Sequence, residues 1–228
     1  MESVTRPFCF EEIPAELRQQ NNWVDWRFER RMKESKVERT KVLYNPLTVN
    51  KAKSNEPSTW VSFDEARTAF ERSEIPKGGG RPYDGIGFCL SDGYVGVDLD
   101  GVYSNGILEP WAEQIVQELN CYAELTPSQQ GVRMIVKGEL PDGRREYTLK
   151  DRDHHGAALY DAFTRFLTMT GWRIRDGVDV PERTEELRRI HARLFPPEPK
   201  AKPKTKASNE FLRDDELIEK ARAARDGG

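Results

Sequence analysis

Apolar and polar positions along this chain predict short strands interleaved with a few helices. Ile13 and Leu17 share one face of Glu11–Gln20, which reads as a short helix with Pro14 in its first turn. Trp23-Val24-Asp25-Trp26-Arg27-Phe28 alternates and predicts a strand, with both tryptophans and Phe28 at or near its buried face. Lys41–Tyr44 predicts a second strand, stopped by Asn45-Pro46 and joined to the first as a hairpin through a charged turn over Arg30–Arg39. Ser62, with Glu65 three residues on, predicts a boxed cap for a helix over Asp64–Arg72. Lys77–Pro82 reads as a flexible connector. Ile86–Leu90 and the run beginning at Tyr94 predict two strands paired as a hairpin through Ser91-Asp92-Gly93.

Further on, Pro110 opens a helix to Leu119. Cys121–Leu125 and Val132–Val136 read as strands joined by Thr126–Gly131, and Ala157–Tyr160 and Arg165–Thr170 as the last two. The polar stretch Arg144–His155 is expected to be mobile, and Pro181 to start a helix running to about Leu194. The domain expected over 1–195 is followed by a Pro/Lys-rich linker over 196–209. A charged amphipathic helix over 210–228 is expected to open a further C-terminal helical region.

One stretch stands out chemically. In Tyr94-Val95-Gly96-Val97-Asp98-Leu99-Asp100-Gly101 the two acids are spaced i, i+2, so a strand puts both on one face and Val97 and Leu99 on the other. Neighbouring carboxylates repel unless a cation sits between them or one takes a proton. Hard oxygen donors in that arrangement suit Mg²⁺ or Mn²⁺; a merely solvated strand end is the plainer alternative. If repulsion dominates the empty site, Asp98→Ala leaves stability equal or slightly higher.

Composition changes the picture in one place. The 228 residues carry a net charge of only −3, so the chain as a whole has no basic signature for nucleic acid. Between Arg27 and Lys53, however, nine Lys or Arg face three acids. Arg27, Arg30, Arg31, Lys33, Lys51 and Lys53 are therefore candidates for contacting a nucleic-acid backbone, with a solvated hairpin as the alternative. Cys9, Cys89 and Cys121 are odd in number and widely spaced, which argues for a reducing compartment and against a zinc finger. No apolar run has the length of a membrane span, and the location expected is cytoplasmic.

Three ordered segments, YVGVDLDG (94–101), ELTPSQQGVRMIVKG (124–138) and ALYDAFTRFLTMTGW (158–172), together resemble the three motifs of the archaeo-eukaryotic primase superfamily, in particular the primase-polymerase domains of phage and plasmid replication proteins. The resemblance implies an RRM-like α/β (α+β) core with a mixed or antiparallel sheet and flanking helices. It implies template-directed transfer from nucleoside triphosphates on single-stranded DNA, with Mg²⁺ or Mn²⁺ held by Asp98 and Asp100. The cytoplasm would be that of the host cell if the protein is phage-encoded. Ser128, Gln130, Gly131, Arg133 and Arg165, with Lys41 as a weaker member, would bind the nucleotide. A helicase or helical domain of the same replication protein is the implied partner.

Three positions depart from the pattern: Arg133 stands where a His is usual, though some relatives carry a basic residue, and it cannot act as a proton acid near pH 7. Gln129 stands where a glycine is usual, and Ala158 or Leu159 where the third motif carries an acid. Asp161 is the nearest carboxylate that could substitute as a catalytic residue. The alternative function is a catalytically weakened relative that binds nucleic acid and tethers a helicase or initiation module.

Overall fold

The computed structural model describes residues 6–33, 36–72, 83–149 and 155–196, which form one compact unit. The expected connector at Lys77–Pro82, the linker from 197 onward and the helix over 210–228 lie outside the described residues. The chain opens with a 3-10 turn at Phe10–Glu12, then α1 (Ala15–Arg18), β1 (Trp23–Lys33) and β2 (Lys36–Tyr44). A 3-10 turn at Pro57–Thr59 leads to α2 (Phe63–Glu71), β3 (Gly85–Cys89), β4 (Tyr94–Asp100), β5 (Tyr103–Ser104) and β6 (Ile107–Leu108). Then come α3 (Pro110–Leu119), β7 (Ala123–Leu125), β8 (Val132–Lys137), β9 (Glu146–Thr148), β10 (Gly156–Tyr160), β11 (Phe166–Met169) and α4 (Thr184–Leu194).

The fold is α+β with antiparallel pairing in every sheet. One sheet has the order β11-β3-β1-β2, the other β7-β8-β4-β10-β9, and β5-β6 is a small separate hairpin. Val95, Val97 and Leu99 pack on α3 and α4 through Ile115, Val116, Leu187 and Ile190. The opposite face of β4 meets the first sheet at Gly96, where a Cβ would lie 2.6 Å from Leu167 Cδ1. α1 and α2 cover the same side of the first sheet through Leu17, Phe63 and Ala66, in one cluster with Trp23, Phe88 and Leu167. No helix among the described residues is long and apolar enough to cross a membrane.

Several expectations hold. Ser62 accepts the Glu65 amide and Glu65 accepts the Ser62 amide, completing the box at α2. α3 runs from Pro110 to Leu119 as read from the sequence.

Others do not. The first helix is split at Pro14, which lacks an N–H and holds Ile13 extended. Trp23 and Trp26 are both buried but on opposite faces of β1, because the strand is covered on both sides there; Phe28 is 38% exposed. The charged stretch Arg30–Arg39 is largely strand rather than turn, with Arg30 opposite Arg39 and Met32 opposite Val37. β3 and β4 are not a hairpin: β1 and β11 fill both edges of β3, β8 and β10 both edges of β4, and Ser91–Gly93 carries the chain between sheets. Arg144–His155 includes the edge strand β9, while 150–154 lie outside the described residues. α4 begins at Thr184, because Pro181 and Arg183 first pair with the backbone of Lys137.

Candidate functional site

Asp98 and Asp100 sit on the face of β4 turned away from the helices, Asp98 nearly buried and Asp100 exposed at the strand end. Register builds a row across the second sheet: Glu124 opposite Arg133, Arg133 opposite Asp98, Asp98 opposite Ala158, and Ala158 opposite Glu146. Paired residues share a face, so all five face the same way.

Arg133 closes on Asp98 as a fork. Its Nη2 lies 2.9 Å from Oδ1 and 2.8 Å from Oδ2, and its Nε 3.2 Å from Oδ1. Its Nη1 donates to the carbonyl of Thr168 at 2.8 Å and to the Thr168 hydroxyl, tying the second sheet to β11 of the first. Burial works against the guanidinium's charge, but the carboxylates of Asp98, Glu124 and Asp100 together outweigh it and hold its pKa above the ordinary value. The Asp98 carboxylate is therefore compensated from within the protein, not left facing only another acid.

Glu124, which the sequence reading passed over, is fully buried beside Arg133. It accepts from Tyr122 Oη at 2.5 Å and from the amides of Thr170 and Gly171 at 2.9 and 2.8 Å. Burial raises its pKa despite those bonds. The available signal was a lone acid inside the apolar run Cys121–Leu125.

Lys41, on β2, comes from the other sheet. It is half-buried, its Nζ 5.2 Å from the Trp26 ring, and burial followed by the charge of Arg133 lowers its pKa to about 8, with Asp98 and Asp100 opposing. Arg165 stacks 5.5 Å over the ring of Tyr160, which pairs with Gly96 two places along from Asp98.

The β7–β8 loop lies at the Asp100 end of the sheet. Ser128 Oγ is 3.0 Å from Thr126 Oγ1, and the Gln130 carbonyl accepts from Tyr103. Gly131 is required by contact, since a Cβ there would lie 2.6 Å from the Leu99 carbonyl. Gln129, at the usual glycine position, adopts φ +58°.

Asp161 is a correction. It follows β10 beyond Tyr160, at the far end of β4 from Asp100, and pairs with Arg145 at 3.2 Å, so it is not gathered with Asp98 and Asp100. Besides the buried Glu124, the carboxylate that shares their face is Glu146, beyond the small Ala158.

The six basic candidates also divide. Arg27 pairs with Glu29 at 3.3 Å, Arg31 approaches Glu29 at 4.0 Å, and Lys53 pairs with Glu56 at 2.7 Å. The charge of Lys51 acts on Glu29. Arg30 is exposed on the opposite face of β1, and the Lys33 side chain lies outside what is described.

The chain is 34% identical over 174 residues to the DNA primase-polymerase of Nitratiruptor phage NrS-1, across 74% of its own length. It resembles a phage DNA primase-polymerase. The match spans 22% of that relative's length. No protein-family model matches the chain. The resemblance gives the row on β4 and β8 a chemical context that two acids and an arginine do not supply alone.

Proposed function

We propose that the chain is a DNA primase-polymerase domain acting in phage or plasmid replication, which transfers nucleotidyl groups from nucleoside triphosphates to a 3′-hydroxyl on a single-stranded DNA template. The observation that carries this reading is the convergence of Asp98, Asp100, Arg133 and Lys41 between the two sheets. A helicase or helical region of the same replication protein is the partner this function would work with.

Asp98 and Asp100 would hold Mg²⁺ or Mn²⁺. Two carboxylates on one strand face suit Mg²⁺, which commonly takes one or two carboxylates and fills its remaining positions with substrate phosphate and water; both Asp98 oxygens accept from Arg133, so a metal there would take the place of part of that fork. When bound, such ions lower the pKa of the attacking hydroxyl and offset charge on the leaving pyrophosphate.

The chain's own residues supply the rest. Arg133, with a permanent planar charge, and Lys41 and Arg165, with positive charge on either side of the acids, orient the triphosphate. Positive charges there would offset the negative charge that grows during transfer. Ser128, Gln130 and Gly131 would line the triphosphate at the Asp100 end, with the Ser128 hydroxyl as the donor; the Gln130 and Gly131 amides already donate to Ser128 Oγ and Thr126 Oγ1.

A second reading, a nucleic-acid-binding relative with weakened catalysis, is favoured by Ala158 and by the hold of Arg133 on Asp98. Extension of a labelled primer in Mg²⁺ or Mn²⁺ decides between them. The first reading expects extension by the parent and its loss in Asp100→Asn with DNA binding retained, and Ala158→Glu to match or exceed the parent. No extension by the parent with either ion, alongside normal DNA binding, establishes the second.

A further inference from the structure

The β1–β2 hairpin reaches well past the strands that flank it. β3 pairs with β1 only from Trp23 to Trp26, whereas β2 follows it to Lys33. The two faces of this arm differ. On one, Arg27 and Arg31 are drawn to Glu29, Tyr44 also donates to Glu29, and Glu38 stands opposite Arg31. From Arg27 to Arg31 that face sets two arginines against Glu29 and Glu38, with Lys33 and Lys36 paired beyond them at the tip.

On the other face Phe28 is opposite Lys41, Arg30 opposite Arg39, and Met32 opposite Val37. These positions hold three cations and no carboxylate. Met32 is 70% and Val37 63% exposed. The Arg39 guanidinium lies 4.2 Å over the Phe28 ring. At its base the same face carries Lys41, on which the charges of Asp98, Asp100 and Arg133 act. Trp26, Phe28 and Arg39 also line a groove of about 670 Å³ that includes Pro127, from the loop at the Asp100 end. Of that groove's carboxylates, Glu11 and Glu71 are bonded to Arg67, and Asp84 accepts the Phe28 amide.

We infer that this one face of the arm, and not the basic hairpin as a whole, is a track for single-stranded DNA that leads the template to the Asp98/Asp100 end of the cleft; the inference rests on the polymerase reading for its direction. Single strands are held by cations along the backbone and by rings on which bases stack without regard to sequence. Phe28 supplies the ring, and Arg30, Arg39 and Lys41 the cations. Met32 and Val37 give the outer end an apolar surface for bases. A duplex buries its base faces and has little use for such a surface.

Fluorescence anisotropy of labelled oligo(dT), titrated with the 228-residue chain over a range of NaCl, tests the track. Arg30→Gln with Arg39→Gln should make the slope of log K against log[salt] shallower by roughly 1.4, two contacts at about 0.7 each. Phe28→Leu, which keeps an apolar side chain but loses the ring, should weaken binding about tenfold with the slope unchanged. Phe28→Tyr should bind like the parent, as should Arg31→Gln, whose guanidinium is drawn to Glu29 on the other face. The inference is overturned if Arg31→Gln costs as much as the Arg30/Arg39 pair, if neither changes binding, or if duplex DNA binds as tightly and loses as much. It is also overturned if the arm variants keep their DNA affinity but abolish a self-association seen by light scattering. Primer extension run in parallel separates the two readings. A parent that binds through this face but does not extend refutes only the polymerase activity. A parent that extends, with arm variants that bind normally, refutes only the track.

Discussion

Asp98 and Arg133 cannot be considered one at a time. Both are buried, and breaking a buried pair by removing one partner typically costs about 3–5 kcal/mol, because the other is left uncompensated. Asp98→Ala should therefore lower stability substantially in urea unfolding, contrary to what repulsion between two acids leads one to expect. Asp98→Ala with Arg133→Met should cost less than the sum of the two single changes. Asp25 is the opposite case: fully buried in β1, with neither carboxyl oxygen hydrogen-bonded. Burial pushes its pKa to about 8. The folded state then keeps a proton that the unfolded chain releases near the ordinary carboxylate pKa. Stability from this group is full below about pH 4 and falls between about 4 and 8, by at most about 1.4 kcal/mol per pH unit. Asp25→Asn should remove that decline, so its advantage over the parent in thermal unfolding should grow from pH 5 to pH 8. An advantage independent of pH would mean Asp25 is ionised in the fold.

Elements were legible in proportion to how local their causes are. The box at α2 and the proline start of α3 lie within a few residues of the helices they begin, and both stand as read. The shared face of Asp98 and Asp100 follows from strand periodicity alone. Partners of strands were not legible in the same way, because a period of two states which side chains share a face but not which strand lies alongside. That is why β3 and β4 read as a hairpin, and why Glu146 went unnoticed in a stretch taken as mobile. Asp161 was chosen for its nearness in sequence, which register then separated in space. The β7–β8 loop was partly legible. Gln129 stands where a glycine is usual, and it occupies the left-handed region that costs ordinary residues about 1–2 kcal/mol. Glycine there gives back part of that gain as unfolded-chain entropy. Gln129→Gly should accordingly raise thermal stability by a few tenths to about 1 kcal/mol; a decrease would show that the Gln129 side chain contributes contacts that outweigh the strain.

The two sheets of the molecule are held together by more than apolar packing. Arg133 reaches Thr168, and Glu124 holds the Thr170–Gly171 turn, so the row that carries the candidate site also joins the layers. Unfolding of the two sheets should therefore be one cooperative event, with far-UV and near-UV circular dichroism tracing the same curve. Glu124→Gln loses acceptor capacity for three buried donors and should move that single curve to lower denaturant by about 1–3 kcal/mol. Two separated transitions in the parent would mean the layers fold independently. The arm is the part of the molecule with freedom to vary, since beyond Trp26 only β2 pairs with β1, and its register sets the terms of that freedom. Adding two residues to each strand extends the exposed face by one more rung and leaves every side chain where it was. Adding one residue to β2 below Lys41 turns Arg39 and Lys41 to the side of Glu29. Insertions in the gene are thus graded by parity: even lengths redraw only the reach of the arm, and odd ones move its cations to the side of Glu29.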